Sequence, residues 1–148
     1  MSLFQTIDTA ATGLTAERLR MDVISDNLAN VNTTRSEDGG PYRRKVVTFQ
    51  PRDEGASAFP SLALGDMSTM DVGQGVQVAG IEEAEGEFRH VHDPEHPDAN
   101  EEGYVLKPNI DPAKEMVDMI TATRAYEANV SSIESAKKMF NEALNIAR

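Results

Sequence analysis

The side chains in this sequence that most resemble a metal site lie within seven residues: His90, His92, Asp93, Glu95 and His96. Imidazole nitrogens and carboxylate oxygens bind zinc or nickel, and two histidines two positions apart on a strand point to the same face. Pro94 and Pro97 interrupt this segment, and no second cluster supplies a further ligand in a fixed position. The segment therefore predicts a structural turn, with no metal and no cofactor.

Other chemical motifs are weaker. Gly73 and Gly75 lack the following helix that a dinucleotide-binding loop requires, so they predict a turn or bulge. No Ser–His–Asp order stands out, and the absence of cysteine excludes disulfides, thiolate zinc sites and a cysteine nucleophile. Residues 43–45 are basic and either contact an acidic neighbour or mark a soluble strand edge. These observations predict that the protein is not an enzyme.

The acidic character of the chain excludes further classes of function. The formal net charge is −11, and residues 33–107 carry seven basic and fifteen acidic side chains. Such a chain repels phosphate backbones and anionic lipids, so we expect neither nucleic acid binding nor membrane insertion. No run of eighteen apolar residues occurs, and the first twenty residues lack the basic and apolar regions of a cleavable signal peptide. Any passage out of the cytoplasm is expected to use another route.

Both ends of the chain have the periodicity of long helices. Apolar residues recur at alternating spacings of three and four, which is the seam of a coiled coil. In the N-terminal helix the seam positions are Leu3, Ile7, Ala10, Leu14, Glu17, Met21, Ile24, Leu28 and Val31. In the C-terminal helix they are Met116, Met119, Thr123, Tyr126, Val130, Ile133, Lys137, Phe140, Leu144 and Ala147. The expected helices are roughly 40–55 Å long.

Local signals indicate where these helices begin and end. Asp111 and Pro112 are a good N-cap and first helical residue. Three asparagines at positions 27, 30 and 32 predict that the first helix ends in the left-handed conformation. Gly13 is a weak point that costs about 1 kcal/mol relative to alanine.

The apolar surface of the first helix is wider than one partner helix can cover. Leu19 and Val23 lie well off the seam on one side, and Ile24 and Val31 drift to the other. A helix that is apolar over most of its circumference requires several neighbours. The alternative is an ordinary helical hairpin that packs its own core. The width favours assembly with copies of itself or with similar chains.

Between the helices, residues 33–107 predict a small β-rich domain. Short runs rich in Val and Phe, bounded by Gly or Pro, predict strands at Lys45–Gln50, Gly75–Gly80, Glu87–Val91 and Gly103–Lys107. Residues 51–72 predict a long flexible loop. The predicted class is α+β: residues 1–32 and 108–148 pair as a helical domain, and the acidic centre is an appendage to them.

Several short motifs resemble a known family. Residues 27–33 read NLANVNT, residues 39–45 read GGPYRRK, and further on come HPDA (96–99), GYV (103–105), PNID (108–111), EMVDMI (115–120) and RAYEANV (124–130). Their order and spacing resemble the bacterial flagellar axial proteins, the rod and hook group, and within it the proximal-rod member. The residues that carry the resemblance are Asn27, Leu28, Ala29, Asn30, Asn32, Thr33, Pro41, Tyr42, His96, Pro97, Gly103, Tyr104, Pro108, Asn109, Tyr126, Glu127, Ala128 and Asn129.

The resemblance implies a structural subunit of the basal-body rod in the periplasmic space. It implies export through the flagellar type III apparatus without signal cleavage, followed by polymerisation with copies of itself and with other rod proteins. The terminal helices would form an inner tube around the export channel, and the centre an outer domain. Off-seam residues would face neighbouring subunits, while His96, Pro97 and Tyr104 would shape the turn before the second helix.

The residues expected to pair the helices or contact other subunits form one set: Leu3, Ile7, Leu14, Leu19, Met21, Val23, Ile24, Leu28, Met116, Val117, Met119, Ile120, Tyr126, Val130, Ile133, Phe140 and Leu144. Because their burial depends on docking, we expect poorly ordered termini in the isolated protein. Three alternatives stay open: another axial protein of the same group, a helical adaptor, and a metalloprotein that uses the histidine cluster.

Overall fold

Two long helices frame the part of the chain that the computed structural model describes, which comprises residues 3–36, 39–52 and 74–146. Helix α1 spans Leu3–Ala29 and helix α2 spans Pro112–Ile146. At about 1.5 Å per residue they are about 40 and 53 Å long, as predicted. The start of α2 is also as predicted, because Oδ1 of Asp111 accepts the Ala113 N–H at 2.9 Å and Pro112 is the first helical residue.

The end of α1 differs from its prediction. Among the described residues only glycines have a positive φ, so no asparagine ends the helix in the left-handed conformation. Instead, Nδ2 of Asn30 donates to the Asp26 carbonyl at 3.0 Å, and Thr33 Oγ1 donates to Asn30 Oδ1 at 3.1 Å. The Asp26 carbonyl also accepts the Asn30 N–H at 3.1 Å, so the Asn30 side chain adds a second donor to the last turn of α1.

Four strands form two antiparallel pairs. Strand β1 (Lys45–Pro51) pairs with β2 (Val76–Glu83), and β3 (Arg89–His92) pairs with β4 (Tyr104–Lys107). All four predicted strands are therefore present with shifted ends. Pro51 was predicted to begin the loop and is the last residue of β1, while residues 53–72 of that loop lie outside the described residues.

The β1–β2 pair contacts α1 through a hydrogen bond. The Val76 N–H donates to Oγ1 of Thr12 at 3.1 Å, and that hydroxyl donates to the Thr9 carbonyl at 2.7 Å. Gly75 has φ +112°, and a Cβ at this position would collide with the Thr12 side chain. The close approach of strand and helix therefore requires glycine here.

The two helices pack antiparallel, and the line along which they meet consists of small or polar residues. The buried positions on α2 are Glu115, Ala122 and Ala136, and Asn129 lies on the same line, so the line repeats every seven residues. Of the predicted seam positions next to this line, Met116 and Lys137 are exposed, whereas Thr123 and Val130 are half-buried and the Thr123 hydroxyl lies 3.6 Å from Sδ of Met21. The line of closest contact is therefore shifted by one position from this row of the seam. The physical reason is close approach, because a Cβ on Gly13 would lie 2.8 Å from Nδ2 of Asn129.

Candidate assembly site

The structure divides the predicted contact residues into three groups by exposure. Val23 and Ile24 are buried, so Val23 belongs to the core of this chain and is not free to face a neighbour as predicted. Half-buried are Ile7, Leu14, Leu19, Met21, Met119, Tyr126, Val130 and Ile133. Exposed are Leu28, Met116, Val117, Ile120, Phe140 and Leu144, and the side chain of Leu3 lies outside the described residues.

Asn27 lies at the centre of a polar junction between α1, β1 and α2. It is 1% exposed. Its Oδ1 accepts the Lys45 N–H at 2.9 Å, and its Nδ2 donates to the Lys45 carbonyl at 2.8 Å and to Oε2 of Glu115 at 3.1 Å. One amide side chain thus joins the end of α1 to the first residue of β1 and the first turn of α2.

The charge in this junction is balanced by Arg44. Glu115 is fully buried, and Arg44 Nε donates to its Oε1 at 2.6 Å, while Nη2 of Arg44 reaches Oδ2 of Asp118 at 3.4 Å. Both carboxylate oxygens of Glu115 therefore accept a hydrogen bond inside the chain. A buried carboxylate is tolerated when it is both ion-paired and hydrogen-bonded in this way.

Tyr42 and Lys45 extend the junction towards solvent. The Tyr42 hydroxyl lies 3.0 Å from Oδ2 of Asp26 and 3.1 Å from Oδ1 of Asn27. Burial and the hydrogen bond to Asp26 raise the pKa of Tyr42 well above its ordinary value. Nζ of Lys45 lies 3.7 Å from Asp26. The acidic neighbours of the basic patch are thus groups of the same chain.

Three motifs that are distant in the sequence meet at this junction: NLANVNT through Asn27, GGPYRRK through Tyr42 and Arg44, and EMVDMI through Glu115 and Asp118. The motifs by themselves give no indication that they meet in the fold. The signal that could have joined them is Glu115 itself, a carboxylate on the buried line of α2, which requires a cation from elsewhere. The junction positions the helix pair relative to the β1–β2 pair.

A different surface lies on the other side of α2. The outer patch, which we define as Met116, Val117 and Ile120, has exposures of 51%, 61% and 61%. At 100° per residue these side chains point away from the line that meets α1. Further along the same face the helix is polar, with Arg124 and Glu127 in an exposed ion pair. The outer patch is therefore an apolar surface confined to the first turns of α2.

The histidine segment forms the turn and ribbon predicted for it. His90 and His92 are exposed on β3, and the His92 ring packs edge-on against Tyr104 with centroids 5.1 Å apart. His96 accepts the Asp98 N–H through Nδ1 at 3.1 Å. Within the ranges that the structure describes, no three His, Asp or Glu side chains are grouped so as to hold a metal ion.

Asp98 ties this turn to the chain segment after α1. Its Oδ2 accepts the Thr34 hydroxyl at 2.8 Å, and its Oδ1 pairs with Arg35. The hydrogen bond from Thr34, aided by the positive charge of Arg35, holds the pKa of Asp98 below its ordinary value. Neither described helix carries an apolar stretch long enough to cross a membrane.

Comparisons with known proteins identify relatives over the full length. Residues 7–35 match the family of flagella basal body rod proteins, and residues 101–146 match the C-terminal family of flagellar basal body rod FlgEFG proteins. The chain is 46% identical to the flagellar basal-body rod protein FlgC of Bacillus subtilis over 100% of both chains. It is 49% identical to FlgC of Borreliella burgdorferi, covering 99% of this chain and 98% of that one, and 36% identical to FlgC of Escherichia coli over 100% of both.

Proposed function

The chain belongs to the FlgC family of flagellar basal-body rod proteins, and from this premise we propose how it works as a subunit of the rod. It is a structural component of the basal body and assembles with other rod proteins. It polymerises through its two terminal helices, which pair in each subunit and dock on neighbouring subunits around the export channel.

The exposure of the outer patch is the observation that carries this proposal. Three large apolar side chains on α2 remain uncovered by the described part of the chain. Each Å² of apolar surface removed from water contributes about 25 cal/mol, and this gain is realised only when another subunit covers the patch. Exposed apolar surface on an otherwise acidic chain is typical of an interaction site.

Each of the three predicted parts of the chain has its own role in the rod. Residues 1–32 and 108–148 supply the inner helical tube, and residues 33–107 form a small outer domain. The junction of Asn27, Arg44 and Glu115 supports this arrangement because it fixes the strands to one end of the helix pair. Because the junction sets the orientation of the strands relative to the helices within each subunit, every copy has the same contacts with its neighbours.

The remaining features of the proposal concern how the chain reaches the rod. It is exported by the flagellar type III apparatus without a cleaved signal peptide and takes its place in the periplasmic part of the basal body. It needs no cofactor and catalyses no reaction. Its partners are copies of itself and the other rod proteins, including those that precede and follow it in assembly.

Charge placed on the outer patch tests the proposal. We expect Val117→Glu combined with Ile120→Glu to abolish motility in a strain that lacks the native gene, because two carboxylates cannot be buried against a neighbour. Ser131→Glu is the matched control, since Ser131 is exposed further along α2. The measurements are swimming in soft agar and the amount of the chain in purified basal bodies by mass spectrometry.

The opposite result would contradict the role of the helices. If the double variant enters basal bodies as well as the Ser131→Glu control does, the outer patch is not a subunit contact. Immunogold labelling tests the position independently, with label expected within the rod. Deletion of either terminal helix is expected to abolish incorporation, whereas the chain still reaches the culture medium or periplasm if export is intact.

A further inference from the structure

Strand β1 has an outer edge that faces away from β2. The Arg44 carbonyl, just before β1, accepts the Ala84 N–H at 2.7 Å. Just after β1, the Arg52 N–H donates to the Gly75 carbonyl at 3.0 Å. The irregularity of the pairing adds a residue, Ala79, to β2 and none to β1. Because main-chain groups in an antiparallel pair alternate in direction, even-numbered residues of β1 bond to β2 and odd-numbered residues point outwards.

Both ends of this outer edge are closed, and its middle is open. At Lys45 the Asn27 amide bonds the N–H and the carbonyl, at 2.9 and 2.8 Å, as a residue of a neighbouring strand would. Pro51 has no N–H, which is typical of edge positions. Between them lie Val47 and Phe49, whose outward N–H and C=O groups have no hydrogen bond to any described residue. The edge therefore offers main-chain donors and acceptors to a neighbour.

A groove of about 270 Å³ runs along the open part of this edge. It is lined by β1, by Arg20 of α1 and by Asp118 of α2. Val23 and Ile24 of α1 also line it and supply its apolar surface. A groove with unpaired main-chain groups along a strand and apolar side chains of a helix next to them is the arrangement that binds an extended peptide as an added strand.

The main-chain groups, and not charge, determine what kind of partner fits. The cations that line the groove, Arg20, Arg44 and Lys45, each lie near an acidic side chain of the same chain. A row of N–H and C=O groups at strand spacing is complementary to an extended backbone. Beside that row, Val23 and Ile24 favour an apolar side chain on the partner.

We propose that an extended segment of another rod protein lies in this groove and adds a third strand to the β1–β2 pair. This inference rests on the proposed function and names the kind of contact that one rod neighbour makes. The segment bonds to the main chain of Val47 and Phe49, and one of its apolar side chains faces Val23 and Ile24. A two-stranded pair is marginally stable by itself, so a third strand also stabilises the β1–β2 pair in the rod.

Strand β2 of a second copy does not fit in the same place. Because Asp118 lines the groove, α2 lies on the helix-facing side of the added strand. Strand β2 lies on α1, where the Val76 N–H donates to Oγ1 of Thr12 at 3.1 Å. A second copy that paired its β2 with β1 would therefore bring its own α1 to the place that α2 occupies. An extended segment without a helix on that side avoids this collision.

Proline substitution tests the open edge without removing a bond of the ladder. Val47→Pro deletes an N–H that points away from β2, and proline is tolerated on edge strands. Ile81→Pro is the matched control, because Ile81 pairs with Val47 and its N–H points to the outer edge of β2. Val47→Ala keeps the N–H and controls for the shortened side chain. Circular dichroism and urea midpoints of the purified chains measure whether each variant folds.

Each variant replaces the native chain in a strain that lacks the native gene, and mass spectrometry measures its amount in purified basal bodies. We expect about tenfold less Val47→Pro than Ile81→Pro, because a backbone acceptor of the neighbour loses its donor and the proline ring blocks its approach. Val47→Ala is expected to enter basal bodies as well as Ile81→Pro does.

Photo-cross-linking identifies what lies in the groove. Thr48 is exposed on the face of β1 that points away from α1, next to the open edge. The photoreactive residue p-benzoylphenylalanine is placed at position 48, and purified basal bodies are irradiated. Mass spectrometry of the linked peptides is expected to identify one segment of a different rod protein. The same residue at the exposed position 79, on β2, is the control and should not link to that segment.

The outcomes separate the inference from the proposed function. Equal amounts of Val47→Pro and Ile81→Pro in basal bodies overturn the added strand. So does a link from position 48 only to a second copy, or the absence of any link in rods that contain the substituted chain. These results leave the rod function intact. If the native chain itself is absent from purified basal bodies, the proposed function fails instead.

Discussion

The two ends of the helix pair differ in what satisfies their side chains. At the junction end, the buried Asn27 and Glu115 have all their described hydrogen bonds within the chain. At the opposite end of the helix pair, Phe4, Met139 and Leu144 are 72%, 58% and 52% exposed. The chain itself therefore satisfies the buried polar groups of the junction, whereas large apolar side chains stay exposed at both ends of the helix pair, including Met116, Val117 and Ile120 beside the junction.

The difference between the two ends shows which interactions suit orientation within a subunit and which suit association between subunits. Hydrogen bonds and ion pairs in a buried junction are directional, so they set a geometry that every copy shares. Apolar surface is non-directional and gains free energy whenever it is covered, so it suits contacts that form late. The junction suits orientation, and the exposed apolar side chains suit association.

The largest expected contrast is in hydrogen exchange of the unassembled chain. Opening free energies span from near zero at fraying ends to the global stability of about 5–15 kcal/mol in well-packed parts. We expect strong protection at residues 24–29 and 116–122, where the amides donate within a helix turn that packs on its partner, and fast exchange at residues 3–9 and 137–146. Mass spectrometry of a dilute monomer measures this gradient. Near-complete protection of residues 3–31 would contradict it.

The second contrast comes from removing the cation of the junction. Arg44→Met leaves the Glu115 carboxylate buried without its ion pair, and breaking such a pair costs about 3–5 kcal/mol. Arg124→Met is the matched control, because its exposed pair with Glu127 contributes about 0–1 kcal/mol. Urea unfolding followed by circular dichroism gives both values. Adding Glu115→Met to Arg44→Met is expected to recover most of the loss.

Gly13→Val tests the close approach of the helices midway between the two ends. The new side chain would overlap the Asn129 amide, and overpacking of this kind costs about 1–3 kcal/mol. Valine has a higher helix propensity than the glycine it replaces, so a loss at Gly13 reports the overlap; Ala11→Val, at an exposed position of α1, is the control without overlap and is expected to cost about 0.5 kcal/mol from helix propensity. Equal unfolding midpoints for the two variants would show that the helices do not meet closely at Gly13.

The smallest effect is expected from Asp98, and it depends on pH. Because its pKa is lower in the folded chain, the ionised carboxylate adds stability above its ordinary pKa, and this stability disappears as pH falls through the lower folded value. Asp98→Asn removes this contribution. Urea midpoints of the two proteins should therefore differ at pH 7 and converge below about pH 3.9. A constant difference down to pH 2 would contradict the assignment.

Local chemistry predicts most of the secondary structure. The helices, the Asp111 cap and the four strands follow from apolar periodicity and from glycine and proline positions, which act within a few residues. The left-handed end of α1 was predicted wrongly, because Asn30 forms side-chain hydrogen bonds that compete with that conformation. The strand ends differ from the predicted ones because hydrogen-bonded pairing with the neighbouring strand, and not local propensity, decides where a strand ends.

Only the tertiary structure decided which residues meet. The seam prediction followed apolar spacing along each helix, but two helices approach most closely where side chains are small, so Ala122 and Ala136 are buried and Met116 is exposed. The bonds from Asn27 and Arg44 to Glu115 span 88 and 71 positions of the chain. Periodicity describes one segment at a time. The partner of a buried charge is a residue distant in the sequence, which only the complete fold brings into contact.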